Sequence, residues 1–159
     1  MVERIPMSLA GNRQLREELE RLERAERPEI VKAIEVARAH GDLSENAEYH
    51  AAREKMSYVK GMIEEYDSRI SMAEIIDVSA LKGQTKIMFG AQVTLMEIET
   101  EKKISYQIVG EHESEIEKGK ISIKSPIGKA LIGKKLNDEV AVKTPGGVKE
   151  FEVIHVEYV

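Results

Sequence analysis

Apolar residues recur at steps of three and four in the first half of the chain and alternate in the second. Leu15, Leu19 and Leu22 make one helical triplet, and Ile30, Ile34 and Ala37 another. They predict a helix from just after Gly11 to about Ala39. The stripe drifts between the triplets, where Pro28 sits. A proline inside a helix removes one backbone hydrogen bond and crowds the preceding turn, so a kink or local break is expected over Arg24–Pro28. The next helix has a cleaner seam. Ala52, Met56, Val59, Ile63, Tyr66, Ile70 and Ala73 follow a heptad spacing, and Glu54, Lys55, Lys60, Glu64, Glu65, Asp67 and Arg69 occupy the other faces. Helices of roughly 30 residues span about 45 Å. The apolar stripe is too narrow to make a globular core, so an antiparallel coiled-coil hairpin is expected.

The period changes near residue 77. The segments 86–98, 103–110, 120–125, 139–144 and 148–159 alternate or are β-branched, and "TPGG" (144–147) is a turn signal joining the last two as a hairpin. In "SPIGKALIGKK" (125–135), Ser125 suits a helix N-cap, Pro126 the first helical position and Gly133 the C-terminal stop. A short helix packed on the sheet by Ile127, Ala130 and Leu131 follows. The charged run "EHESEIEKGK" (111–120) is expected as an exposed loop. The fold class is therefore α+β: a helical hairpin over 1–76 with its bend near 41–48, then a small antiparallel sheet with one helix over 77–159.

Composition agrees with that division. Residues 1–76 hold all nine arginines and three lysines against sixteen acids, net −4; residues 77–159 hold twelve lysines against thirteen acids, net −1. With 42% apolar and 33% charged residues, the 159-residue chain is neither disordered nor membrane-spanning in character. "MVERIPMSLAG" lacks the apolar core of a secretory signal, and a cytoplasmic location is expected. The absence of cysteine excludes a disulfide framework, a thiol nucleophile and a cysteine zinc site. A net charge of −5 argues against nucleic-acid binding through the general field, though local basic patches remain compatible with it.

Charge concentrates at the bend, "GDLSENAE" (41–48), which carries Asp42, Glu45 and Glu48. Two accounts compete there. In one, His40 and Gly41 end the first helix, the second starts at Asp42 or Ser44, and Asp42 with Glu45 forms a capping box. In the other, two carboxylates three residues apart contact one hard divalent cation such as Mg²⁺, whose remaining ligands come from a partner's active site. The accounts compete because a carboxylate consumed as a cap has fewer free lone pairs. Glu48, one turn below, has an ordinary role available in pairing with Arg38 or Arg53. Arg38, His40, His50 and Arg53 put positive charge beside the acids, as solvated residues or as a phosphate contact. Other chemistry is thin. The two histidines lack a third zinc ligand at a recognised spacing, no glycine-rich phosphate loop precedes a helix, and Ser125 lacks the nucleophile-elbow pattern. Nothing supports a self-contained enzyme or a small-molecule substrate.

"RPEIVKAIEVARAHGDLSENAEYHAARE" (27–54), "IPMSLAG" (5–11), "SPIGKALIGK" (125–134) and "VKTPGGVKEFEVIHVEYV" (142–159) resemble the bacterial transcript cleavage factors of the Gre family, GreA type, over nearly the whole chain. The resemblance implies an FKBP-like C-terminal module that docks outside the secondary channel of RNA polymerase, without implying prolyl isomerase activity. It implies a coiled coil inserted through that channel, reaching the nascent RNA 3′ end through the polymerase. There the factor stimulates the polymerase's own hydrolysis of RNA in backtracked, arrested complexes. The family's two tip acids fall on Asp42 and Glu45, which would help hold Mg²⁺ shared with the polymerase site and position the attacking water; Arg38 and Arg53 are candidate RNA or polymerase contacts. A Gre-like class of channel-binding inhibitors carries a larger acidic cluster and does not promote cleavage; it is the alternative. The GreB type has a broader basic face on the coiled coil, and the net −4 of the first half favours the GreA type.

Overall fold

The computed structural model describes residues 4–42 and 46–158. They form two compact units, Asn12–Met72 and a second made of the first eleven residues with Ala73–Val159. The sequence division at residue 76 leaves the N-terminal strand with the hairpin; in the structure that strand is grouped with the sheet.

The helical unit is built from α1 (Leu9–Arg21), α2 (Arg27–Arg38) and α3 (Ala47–Met72). Between α1 and α2 the chain does not break. Leu22–Glu26 forms a π-helical segment in which the Arg27 amide donates to the Leu22 carbonyl, five residues back. The reason lies in the spacing. Leu22 and Ile30 are eight residues apart, one more than a heptad, and a wider turn absorbs the extra residue. Both side chains then stay on one face and are buried with Val59 and Ile63, flanked by Leu19, Ile34, Met56, Met62 and Tyr66. Pro28 follows in the first turn of α2, where its missing amide costs little. The kink expected over Arg24–Pro28 is thus a π turn placed slightly earlier. Nearer the bend, Ala37 and Ala52 are also buried.

The other unit opens with β1 (Ile5–Ser8), which pairs in parallel with β2 (Ala73–Ile76). Ala73 therefore starts a strand and does not extend the α3 seam as the heptads suggested. The main sheet contains β3 (Gln92–Glu97), β4 (Lys103–Val109), β5 (Lys120–Ser122), β6 (Glu139–Thr144) and β7 (Gly147–Glu157), in the order β5-β4-β3-β7-β6. All neighbours are antiparallel except the edge strand β5, which runs parallel to β4. The 86–98 segment is a strand only from Gln92; Lys86 makes an isolated bridge to Lys135. The turn at 144–147 joins β6 to β7, with Gly147 at a φ of 113°. The short helix is present as α4 (Pro126–Leu131): the Ser125 hydroxyl accepts the Gly128 amide, and Leu131 is fully buried in the core with Leu95, Ile108 and Val153. No described helix is long and apolar enough to cross a membrane.

Two polar anchors hold this unit. The run 111–120 is not only a solvated loop. The Glu113 carboxylate accepts the Ser8 and Gly110 amides at 3.1 and 3.0 Å and the Ser8 hydroxyl, while the Ser8 Oγ accepts the Gly11 amide at 2.9 Å. A Cβ on Gly11 would fall 2.0 Å from Glu113 Oε1, so a side chain there would displace the Glu113 carboxylate from its partners. The second anchor is Tyr158, which is buried; its hydroxyl accepts the Met88 amide at 2.8 Å and donates to the Lys86 carbonyl at 2.5 Å. Tyr158→Phe leaves both backbone groups short of a partner and is expected to destabilise the unit by about 1–3 kcal/mol in urea unfolding. Burial raises the Tyr158 phenol above its ordinary value, with the Met88 amide opposing part of that rise. A folded-state pKa above the unfolded one adds stability that is complete below pH of about 10 and is lost as pH climbs through the folded value. The Phe variant should lack this alkaline component.

Candidate functional site at the helical bend

The bend is organised by the way the two helix ends are closed. At the end of α2 the Ala39 amide donates to Glu35 and the His40 amide to Ala37, at 3.3 and 3.1 Å. Gly41 then adopts a φ of 107°, the positive region in which a side chain would be strained, as a helix stop favours. Asp42 follows in non-helical backbone and is exposed.

The start of α3 differs from the sequence expectation. The helix begins at Ala47, not at Asp42 or Ser44, and the capping residue is Asn46. The Asn46 side-chain carbonyl accepts the Tyr49 amide at 3.1 Å, and its backbone carbonyl accepts the His50 amide at 3.1 Å. The same side chain donates its amide to the Ala37 carbonyl at 2.6 Å. One residue therefore closes both helix ends. Ser44 and Glu45 lie outside the described residues, and with them the Glu45 half of the capping box and of the metal pair. Asp42 is four residues before the cap of α3 and is not that cap.

Arg38 closes α2 and is exposed; Arg53 is exposed on α3, its guanidinium 5.7 Å from the centre of the Tyr49 ring. That distance permits a cation–π contact, which steadies the arginine while leaving its donors to solvent. The Tyr49 ring also meets the His50 ring at 5.7 Å. The pairing expected for Glu48 is absent: among the described residues no ion pair joins it to Arg38 or Arg53, and it is exposed in the first turn of α3. An acid there still complements the positive end of the helix.

The donor chemistry suits a hard cation. Asp42 offers carboxylate oxygens, and among the described residues no group of three or more histidine or acidic side chains is assembled for a metal. Asp42 with Glu45 would supply only part of an octahedral shell, so a complete site requires ligands from elsewhere.

Two family models match the chain. One, described as "Transcription elongation factor, N-terminal", covers residues 5–75; the other, "Transcription elongation factor, GreA/GreB, C-term", covers residues 82–158. The chain belongs to the GreA/GreB family of transcription elongation factors. The protein named "Transcription elongation factor GreA" of Xylella fastidiosa strain 9a5c is 52% identical over 156 residues, 98% of this chain and 99% of that protein. The GreA of Ruegeria pomeroyi is 54% identical over 157 residues, 99% of each. These relatives are named as elongation factors, not as enzymes. Among solved structures, GreA factor homolog 1 of Thermus thermophilus aligns over 98% of this chain and 99% of its own at 26% identity, with a TM-score of 0.44, too low to bear on the site. Within this GreA/GreB chain, Asn46 is the residue at the bend that periodicity did not single out. Its signal was present, since asparagine is a favoured cap and Asn46 directly precedes an uninterrupted helix.

Proposed function

We propose that this chain binds RNA polymerase and stimulates the polymerase's own cleavage of nascent RNA in backtracked, arrested complexes. In this role the helical hairpin enters the secondary channel, and the sheet unit docks at its outside. The chain acts in the cytoplasm and is not itself a hydrolase. Membership of the GreA/GreB elongation factors supports the setting. The observation that carries the proposal is Asp42: it is exposed on non-helical backbone at the bend, while the capping duty at the start of α3 falls to Asn46. An α3 of 26 residues spans about 39 Å, long enough to carry the bend to a recessed site.

Asp42 and Glu45 would hold a Mg²⁺ ion together with polymerase ligands. When bound, that ion supplies Lewis-acid stabilisation of the developing negative charge and a more acidic bound water. A carboxylate oxygen not bound to the ion would accept a hydrogen bond from the attacking water and so orient it. Arg38 and Arg53, exposed on the two helices that flank the bend, would contact the RNA 3′ segment or the channel wall; Arg53 enters with its guanidinium already oriented over Tyr49.

The test uses purified RNA polymerase stalled on a template with end-labelled RNA. The chain should accelerate release of a 3′ fragment and restore elongation, and should release nothing from RNA without polymerase. Slowed nucleotide addition with no fragment released would replace this role with that of a channel-binding inhibitor.

A further inference from the structure

Asn46 makes more contacts than a helix cap needs. An N-cap requires an acceptor for one orphan amide, which Oδ1 supplies to Tyr49. Serine or aspartate would do this equally well. The Nδ2 donor has a separate destination, the Ala37 carbonyl at 2.6 Å, on the other helix. That carbonyl also accepts the His40 amide, so both of its acceptor positions are engaged at the end of α2. The amide orientation is dictated by its surroundings. A flipped Asn46 would set its NH₂ against the Tyr49 N–H and its oxygen against the Ala37 carbonyl. Residues 37 and 46 are the two ends of the segment that carries Asp42 and Glu45. The bond between them closes that segment into a loop.

We propose that Asn46 is a positioning residue for the acidic bend: by bridging the Tyr49 amide and the Ala37 carbonyl it fixes the end of α2 against the start of α3 and so sets where Asp42 is presented. This rests on the cleavage-stimulating role proposed above. The donor half of the bridge is what matters for function, and the acceptor half for the helix. Groups that orient ligands from one layer behind are worth about 10–100-fold in activity, and an effect of that size is expected here.

Three substitutions separate the halves. Asn46→Asp and Asn46→Ser each keep an acceptor for the Tyr49 amide and lose the donor to Ala37; Asn46→Ala loses both. Hydrogen exchange of the Tyr49 amide should remain slow in the Asp and Ser variants and quicken in the Ala variant. In the stalled-polymerase assay all three should lower the maximal rate of RNA release about 10–100-fold. The half-saturating factor concentration should move by less than about twofold, because the hydrophobic seam is untouched. Raising Mg²⁺ should recover part of the rate in the Asp and Ser variants. Wild-type release rates in those two variants would overturn the proposal and leave Asn46 as a cap alone. Weakened binding and reduced helicity in parallel, with the maximal rate intact, would overturn it in favour of a purely structural role. If the wild-type chain itself releases no RNA, the cleavage role fails and takes this inference with it; variants equal to an active wild type defeat the inference alone.

Discussion

Asp42→Asn and Glu45→Gln should each abolish most of the stimulated RNA release while leaving polymerase binding largely intact. Each substitution is close to isosteric and removes a negative charge together with one of the strongest oxygen donors for a hard cation. Losing a single preorganised electrostatic contributor at a reacting centre costs on the order of 100-fold to 1,000-fold. The double variant should cost little more than either single one, because two ligands of one ion act as a unit. Asp42 is exposed and outside any helix, so its substitution should change stability by no more than about 0.5 kcal/mol. That separates lost chemistry from lost folding. The measurement is single-turnover RNA release from stalled complexes across a factor titration, with competition binding run in parallel. Unchanged release in both variants would remove these acids from the site. Reduced release that is fully recovered at higher factor concentration would make them binding contacts.

The helical unit was legible because its core is one seam with one period. The heptads from Ala52 to Ile70 need no tertiary information, and α3 follows them. The π turn was half legible. Pro28 drew attention to the irregularity, but the eight-residue step from Leu22 to Ile30 is the physical cause, and it calls for an extra residue in the helix and not for a break. The strands β1 and β2 were missed for a different reason. Four residues carry too little alternation to register, their pairing joins positions 68 residues apart, and Ala73 fits the heptad seam as well as it fits a strand. Glu113 stands in a run of charges whose composition reads as solvent-exposed, yet it accepts hydrogen bonds from Ser8 and Gly110. At the bend, Asp42, Ser44 and Asn46 are all good caps by type. What decides among them is the second contact of Asn46, with Ala37, a partner on another helix that propensity cannot see. The acids of the bend were legible as residues; the element that closes the bend was legible only in three dimensions.

Val59→Asp should unfold the helical unit and spare the sheet unit. The core of the hairpin is small: Leu22, Ile30, Val59 and Ile63 are its buried cluster, and Val59 is 1% exposed. Putting an unpaired carboxylate there costs at least about 3–5 kcal/mol, since neither water nor a cation can reach it without opening the seam. That is a large part of the 5–15 kcal/mol typical of a whole domain, and a hairpin with so small a buried cluster lies at the low end. The sheet unit has its own core, with Ile87, Val93, Leu95, Ile108, Leu131 and Val153 fully buried, and none of them depends on Val59. Far-UV ellipticity should fall by most of its helical component, while the amide resonances of Val93, Leu95 and Val153 keep their native dispersion. Leu22→Ala is the milder companion, expected to cost about 2–5 kcal/mol, enough to lower the first thermal transition without erasing it. If instead the whole chain melts in one step, the two units are one cooperative structure. If they separate, the Val59 variant supplies a polymerase ligand without an ordered arm. In the proposed role, where the sheet unit docks on polymerase and the hairpin delivers Asp42 and Glu45, it should then compete with the wild-type chain for polymerase yet release no RNA.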